Sequence, residues 1–236
     1  MPLPKLDDPT YDLTLPSSNR QITFRPFLVK EEKILLMAME GGEQNEILNA
    51  MKQIVSNCVS EEIPVDNLPL FDLEFIFLNL RSKSVGSESI VGISCPQCNE
   101  TNQCTIDLDS IEIVKNENHT KEISLTDIMG LIMSYPTVDV LKGINLEEDT
   151  VNVETTMEMI EACVDTLWNG DETYDMNDYT KEERREFFDN LTQAQFVEIQ
   201  NFFETMPKLS HDIKYVCGSC GYNDIMLLEG LQNFFG

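Results

Sequence analysis

Two short segments of this chain, Cys95-Pro96-Gln97-Cys98 and Cys217-Gly218-Ser219-Cys220, each contain a pair of closely spaced cysteines. In each stretch the two cysteines are separated by two residues, which is the spacing with which two thiolates on one tight turn hold a metal ion. Two such turns supply four sulfurs, enough for a tetrahedral Zn²⁺ site with no position open for water or substrate. The pattern therefore predicts a structural zinc site at Cys95, Cys98, Cys217 and Cys220.

The residues around the thiols support this prediction. Pro96 suits the start of a turn, and Asn99 and Gly221 tolerate the positive φ that such a turn needs after its second cysteine. Strand-like runs lead into and out of each turn, so each pair is expected at the tip of a hairpin. Two hairpins that face each other across a metal form a zinc ribbon. A thiol-redox enzyme using either pair is the alternative, but that motif lies at a strand-to-helix junction and neither pair does.

A long segment separates the two cysteine pairs, because 118 residues lie between Cys98 and Cys217. An insertion of this size implies a separate sub-domain whose ends are held by the metal. The predicted fold class is α+β: an N-terminal β-hairpin plus helices, and a four-cysteine zinc ribbon split by a long, mainly helical insertion. The predicted divisions are 1–87, 88–109 for the first half of the ribbon, 110–209 for the insertion, and 210–236 for the second half and the C-terminal tail.

The N-terminal region begins with a predicted β-hairpin, since Tyr11–Leu15 and Gln21–Arg25 alternate apolar and polar residues on either side of a turn. Three helices follow, at Val29–Glu40, Gln44–Cys58 and Leu70–Lys83. The third is apolar nearly all round, so it is either buried in the core or covered by another chain.

The insertion combines two predicted strands with several helices. The predicted strands are Ile111–Val114 and Ile128–Met133; the predicted helices are Thr137–Lys142, Val153–Trp168 and two further segments. These last two open at the capping boxes Thr180-x-x-Glu183 and Thr192-x-x-Gln195 and extend to Asp189 and to just before Pro207.

The charge is strongly negative, with 42 acidic against 16 basic residues and a net charge of −26. DNA, RNA and anionic membranes need clustered Lys and Arg, so none of them is expected as a direct partner. Residues 145–180 hold eleven acids and no Lys or Arg. This stretch is either a solvated helix face with an acidic loop or a docking surface for a basic partner. No secretory leader or membrane span is apparent, so a reducing cytosol is expected.

No catalytic set is recognisable, and no small-molecule substrate is expected. The only histidines are His119, in a polar loop, and His211, just before the second cysteine pair. Cys58 and Cys163 lie on apolar helix faces and Cys104 in a strand, where thiols are usually inert. Residues 171–182 have the spacing of a calcium loop, but Met176 stands where that loop requires glycine, so calcium is rejected.

Several segments resemble one known family. They are Leu15–Ser18, Phe24–Lys33, Phe71–Glu74, Arg81–Gly86, Tyr135-Pro136, Phe202–Leu209, the two cysteine pairs and Glu229–Leu231. The chain is similar, from about residue 11 onward, to baseplate hub and hub-assembly chaperone proteins of contractile-tailed bacteriophages of the T-even type. Phe24–Lys33 is the most specific part of the resemblance.

The resemblance implies a non-enzymatic role in building the hub of a phage tail baseplate, as a hub subunit or as an assembly chaperone. The expected partners are hub or tail proteins, and the expected location is the host cytoplasm during assembly or the baseplate of the virion. Aromatic and arginine content, and a terminal position, point to partner contacts at Phe24, Arg25, Phe27, Phe234 and Phe235. The alternative function is that of a phage zinc-ribbon transcription regulator, although no basic strip accompanies the ribbon.

Overall fold

The computed structural model describes residues 8–143 and 153–230. The chain divides into two compact units, which we call the first unit (Met1–Val114 with Lys208–Gly236) and the second unit (Lys115–Pro207). The fold is α+β with an N-terminal β-hairpin, which confirms the predicted fold class. The four-part division at residues 87, 109 and 209 stays a prediction.

The elements follow one another in chain order. The first unit opens with β1 (Tyr11–Thr14), β2 (Gln21–Phe24), α1 (Val29–Gly41), α2 (Gln44–Cys58), α3 (Leu70–Val85), β3 (Glu88–Ser94), β4 (Thr101–Asp107) and β5 (Glu112–Val114). The second unit contains β6 (Glu122–Ser124), β7 (Met129–Met133), α4 (Val138–Gly143), α5 (Val153–Ala162), β8 (Val164–Asn169), β9 (Glu172–Asp175), α6 (Lys181–Asp189) and α7 (Gln193–Thr205). The first unit closes with β10 (Lys208–Val216) and β11 (Asn223–Glu229).

The helix α3 provides the core of the first unit. Six of its apolar side chains are buried: Phe71, Leu73, Ile76, Phe77, Leu78 and Leu80. Its one buried carboxylate, Asp72, accepts hydrogen bonds from the backbone N–H of Ser17, at 3.1 Å, and from the Ser17 hydroxyl. The turn between β1 and β2 is thereby tied to α3. Of the two interpretations of this apolar helix, the structure confirms the buried one.

Two antiparallel sheets complete the first unit. One is the hairpin of β3 and β4, and the other has the order β11-β10-β5. In β3 the alternation is complete, with Ser89, Val91 and Ile93 buried and the residues between them exposed. This alternation fixes the register, because a shift by one residue would turn the buried set toward water.

The second unit contains a four-stranded antiparallel sheet in the order β6-β7-β8-β9, and the described helices α5, α6 and α7 share a core with one of its faces. Its core joins sheet residues such as Leu131 and Met133 to the helix residues Ile160, Phe188 and Ile199. Thr180 and Thr192 cap the starts of α6 and α7, and the hydroxyl of each accepts the backbone N–H of the residue three positions on, Glu183 or Gln195. The side chain of Glu183 or Gln195 in turn accepts the backbone N–H of the threonine. Both predicted capping boxes are confirmed.

The helix predicted over Val153–Trp168 is wrong in its second half. The helix α5 ends at Ala162, and Val164–Asn169 forms the strand β8. The apolar residues have a helical spacing, at Met157, Ile160, Val164 and Leu167. The part after Ala162 is short, and a short apolar segment is equally compatible with a β-strand. None of the described helices is long and apolar enough to cross a membrane.

Candidate metal centre

The first cysteine pair lies on the turn between β3 and β4, as predicted. The N–H of Cys95 donates to the carbonyl of Glu100 at 2.8 Å, and the N–H of Asn99 donates to the carbonyl of Cys95 at 2.9 Å. Asn99 has a φ of 58°, which lets the turn close after Cys98. Both thiols therefore project from one tight turn at the tip of the hairpin.

The second pair lies on a matching turn between β10 and β11. The N–H of Cys217 donates to the carbonyl of Tyr222 at 2.8 Å, and the N–H of Gly221 donates to the carbonyl of Cys217 at 2.9 Å. Gly221 has a φ of 72°. The two turns repeat the same hydrogen bonds at equivalent positions, and the positive φ expected at Asn99 and Gly221 is confirmed.

The two turns meet at their tips. The sulfur atoms of Cys95, Cys98, Cys217 and Cys220 all lie within 4.8 Å of one another. The Cys95 and Cys220 sulfurs are 3.7 Å apart, and those of Cys98 and Cys217 are 3.6 Å apart. Zn–S bonds of about 2.3 Å in a tetrahedron place neighbouring sulfurs about 3.8 Å apart, whereas a disulfide needs about 2.05 Å. The donor set therefore fits a closed tetrahedral metal site.

The thiols differ in their tendency to ionise. Backbone N–H groups of Cys220 and Ser219 lower the pKa of the Cys217 thiol to about 6. The N–H of Glu100 acts in the same direction on Cys98, but burial and the neighbouring thiols outweigh it and raise the pKa of Cys98 to about 12. A bound cation would replace the protons on these thiols, because cysteine binds a metal as the thiolate.

Asn102 connects the two turns, a role that sequence analysis did not assign to it. Its side-chain oxygen accepts the N–H of Gly218, at 2.9 Å, from the second turn. Its side-chain N–H donates to the carbonyl of Glu100, at 3.1 Å, in the first turn. An asparagine at the start of a strand carries no sequence signal for such a bridge, because its partner lies 116 residues away.

The predicted partner contacts fall in three places. Phe24 is 1% exposed and Phe27 is 8% exposed, so both rings pack inside the first unit rather than on its surface. Arg25 pairs with the buried Glu31 at 3.0 Å and donates to the carbonyls of Pro26 and Asn57. Phe234 and Phe235 lie outside the described residues. An aromatic residue in an amphipathic strand is more often part of a core, which is the outcome here for Phe24.

The other three thiols, of Cys58, Cys104 and Cys163, do not belong to the cluster. Burial raises the pKa of Cys58 to about 11 and that of Cys163 to about 12, so neither is a thiolate near neutral pH. Cys104 is half-buried in β4. Among the described residues, the four clustered thiols form the one group of His, Cys, Asp or Glu side chains close enough to hold a metal ion.

His119 is more ordered than its polar loop suggested. Its ring nitrogens lie 3.0 Å from the Thr205 hydroxyl and 3.1 Å from the Tyr135 hydroxyl. The ring also stacks on Tyr135 and packs against Phe202. The histidine therefore closes an aromatic cluster inside the second unit, while His211 is half-buried in β10.

Comparison with known proteins gives one family. The family model described as "T4 bacteriophage base plate protein" matches residues 8–236, which is nearly the whole chain. No curated protein and no solved structure matches.

Proposed function

The chain belongs to the family of T4 bacteriophage base plate proteins, and on that premise we propose that it acts without catalysis in assembling the hub of the tail baseplate. In this proposal it binds other hub proteins, either as a hub subunit or as an assembly chaperone. It works in the host cytoplasm during assembly, and as a subunit it would remain in the virion.

The family match over residues 8–236 is the observation that carries this proposal. The segments that resemble hub and hub-assembly proteins add to it, because they extend from the first hairpin to the end of β11. The net charge of −26 is compatible with protein partners and unfavourable for a transcription regulator that must bind DNA. No feature of the described residues favours the regulator.

Within this function the four thiols hold Zn²⁺ as a structural ion. The supporting observations are the sulfur separations, the repeated turn geometry and the completed tetrahedral set, which leaves no position for substrate. The ion would join β3–β4 to β10–β11, elements that are far apart in sequence. Its role would be to fix the surfaces with which the protein meets its partners.

A pull-down from cells in which baseplates assemble tests the proposal. The full chain carrying an affinity tag should co-purify with hub proteins, and cells that lack the chain should accumulate baseplates without a complete hub. Normal baseplates in its absence, or a purified chain that carries no tail protein, would contradict the proposal. Comparing assembly intermediates with mature virions by mass spectrometry then separates a subunit, which stays, from a chaperone, which leaves.

A further inference from the structure

The sheet of the second unit has one face that none of the helices in the described part of the chain covers. Leu131 and Leu167, which pair across β7 and β8, point into the core. The residues that alternate with them form two cross-strand rows on the other face. These rows are Glu122, Ile132, Thr166 and Asp175, and beside them Ser124, Gly130, Trp168 and Thr173. We call these eight residues the Trp168 face.

The indole ring of Trp168 is the largest feature of this face, and the chain has no other tryptophan. Gly130, its cross-strand neighbour, makes room for the ring, because a methyl group there would overlap both the ring and the carbonyl oxygen of Ile123. Ile132, in the adjacent row, is 38% exposed. The other residues of the face are Glu122, Asp175 and the smaller residues Ser124, Gly130, Thr166 and Thr173.

The accessible part of Trp168 is carbon. Its Nε1 is buried and has no acceptor within hydrogen-bond distance in the described part of the chain, while the residue as a whole is partly exposed. A partner would therefore meet the aromatic surface of the indole rather than its N–H. Tryptophan is enriched among the residues that anchor protein interfaces, and its ring face attracts Arg and Lys side chains.

The charges on the face have one sign. The strands β6, β7, β8 and β9 contain no Lys, Arg or His. Glu122 and Asp175 are both exposed and lie at opposite ends of one row, on the two edge strands. Three strand spacings separate them, which corresponds to about 14 Å. The second unit as a whole contains 21 acidic and 6 basic residues. A second copy of the chain would be repelled, whereas a basic segment would be attracted.

We propose that the Trp168 face is the docking surface for a basic protein segment. An Arg or Lys of that segment lies against Trp168, and neighbouring basic side chains pair with Glu122 and Asp175. This inference rests on the proposed function, because the segment belongs to one of the tail proteins with which the chain assembles. It adds the location of the contact and the chemistry of the partner.

Site-directed photo-crosslinking tests the location. Thr173→p-benzoylphenylalanine places a reactive group next to Trp168, and Glu198→p-benzoylphenylalanine is the control, on an exposed position of α7. After illumination of cells that are assembling baseplates, position 173 should join to a Lys- or Arg-rich segment of a tail protein, and position 198 should not. A crosslink from position 173 to a second copy of the chain, or to an acidic segment, would overturn the proposal.

Charge reversal tests the chemistry with a matched control. Glu122→Lys with Thr173→Lys changes the charge of the face by the same amount as Glu198→Lys with Gln200→Lys changes that of α7. The first pair should weaken co-purification with the crosslinked tail protein by about tenfold or more, and the control pair by less than about twofold. Near-ultraviolet circular dichroism verifies that both variants are folded.

The outcomes separate this proposal from the proposed function. If both double variants retain the tail protein equally, the Trp168 face is not its docking surface, although the assembly role stands. If the unaltered chain retains no tail protein at all, the assembly role fails and this proposal fails with it.

Discussion

Among single residues, Arg25 and the buried Glu31 with which it pairs have the clearest energetic role. The Glu31 carboxylate is fully buried, yet it accepts from Arg25, from Lys30 and from the N–H of Leu28 at the start of α1. Burial alone would raise the pKa of Glu31, but these hydrogen bonds outweigh it and lower the pKa below its usual value. Arg25, Lys30 and the Leu28 N–H therefore stabilise the ionised form of the Glu31 carboxylate inside the first unit.

We predict that Arg25→Ala destabilises the chain by roughly 2–3 kcal/mol at pH 7. Removing one partner of a fully buried pair costs about 3–5 kcal/mol, and here Lys30 and the Leu28 N–H still compensate part of the charge. Urea unfolding measures the difference. Arg20→Ala is the control, because the Arg20 side chain makes an exposed contact to the carbonyl of Glu62; it should change stability by less than about 0.5 kcal/mol.

The same pair predicts a pH dependence. Because the folded pKa of Glu31 is lowered, its contribution is complete above the unfolded value near 4.5 and is lost as pH falls through the folded pKa. The stability gap between the native chain and Arg25→Ala should therefore narrow as pH falls below about 4.5. A gap that stayed constant between about pH 7 and 3 would show that Arg25 acts through packing alone.

His119 makes a second prediction at the scale of the residue. Burial lowers the pKa of His119, and the nearby Lys121 adds to the effect. The neutral ring is thus favoured in the folded state, and its contribution is complete above the unfolded pKa near 6.5 and decreases as pH falls through the folded value. Stability of the second unit, followed by Trp168 fluorescence, should decline as pH falls below about 6.5, and His119→Gln should reduce that decline. An unchanged decline in the variant would exclude His119 as the titrating group.

Among the secondary-structure elements, we expect Asn102 to fix the position of the first cysteine turn relative to the second. We predict that Asn102→Ala releases bound zinc to a chromogenic chelator about tenfold faster, in line with the effect of other residues that support metal ligands. Asp224→Ala is the control, since Asp224 lies near the start of β11 and its carboxylate accepts the N–H of its own neighbour Ile225. Equal release rates for the two variants would mean that the turns hold the metal without this bridge.

The elements that the sequence predicted well have strong local signals. The helix α2 extends over Gln44–Cys58 as predicted, and α6 and α7 begin where their capping boxes place them. The two cysteine turns were equally predictable, because residue type and spacing define each turn locally. Their meeting at one point followed only from the chemical requirement for four ligands.

The elements that the sequence did not predict depend on distant partners. The strands β6 and β9 are short and largely polar, and they exist because β7 and β8 lie between them. The strand β8 has the apolar spacing of a helix, and its pairing with β7, about 35 residues back in the chain, leaves no local signal. The bridge made by Asn102 and the burial of Phe24 likewise depend on residues that are distant in the sequence.

At the scale of the whole molecule, one ion is proposed to join two distant parts of the chain. Structural zinc contributes roughly 10–16 kcal/mol in small peptides, which is comparable with the total stability of a domain, about 5–15 kcal/mol. The ion would hold together four thiols that come from two hairpins, at residues 95–98 and 217–220. The first unit should therefore depend on the metal for its stability.

Native mass spectrometry of the purified full chain tests whether the protein binds this ion. We predict one zinc ion per chain, lost in the double variant Cys98→Ser with Cys220→Ser, and a thermal unfolding temperature that drops when a chelator removes the ion. Cys58→Ser with Cys163→Ser should keep the zinc, because neither thiol belongs to the cluster. A chain that carries no metal, or one whose melting is unaffected by complete metal removal, would show that the four thiols do not form a structural zinc site.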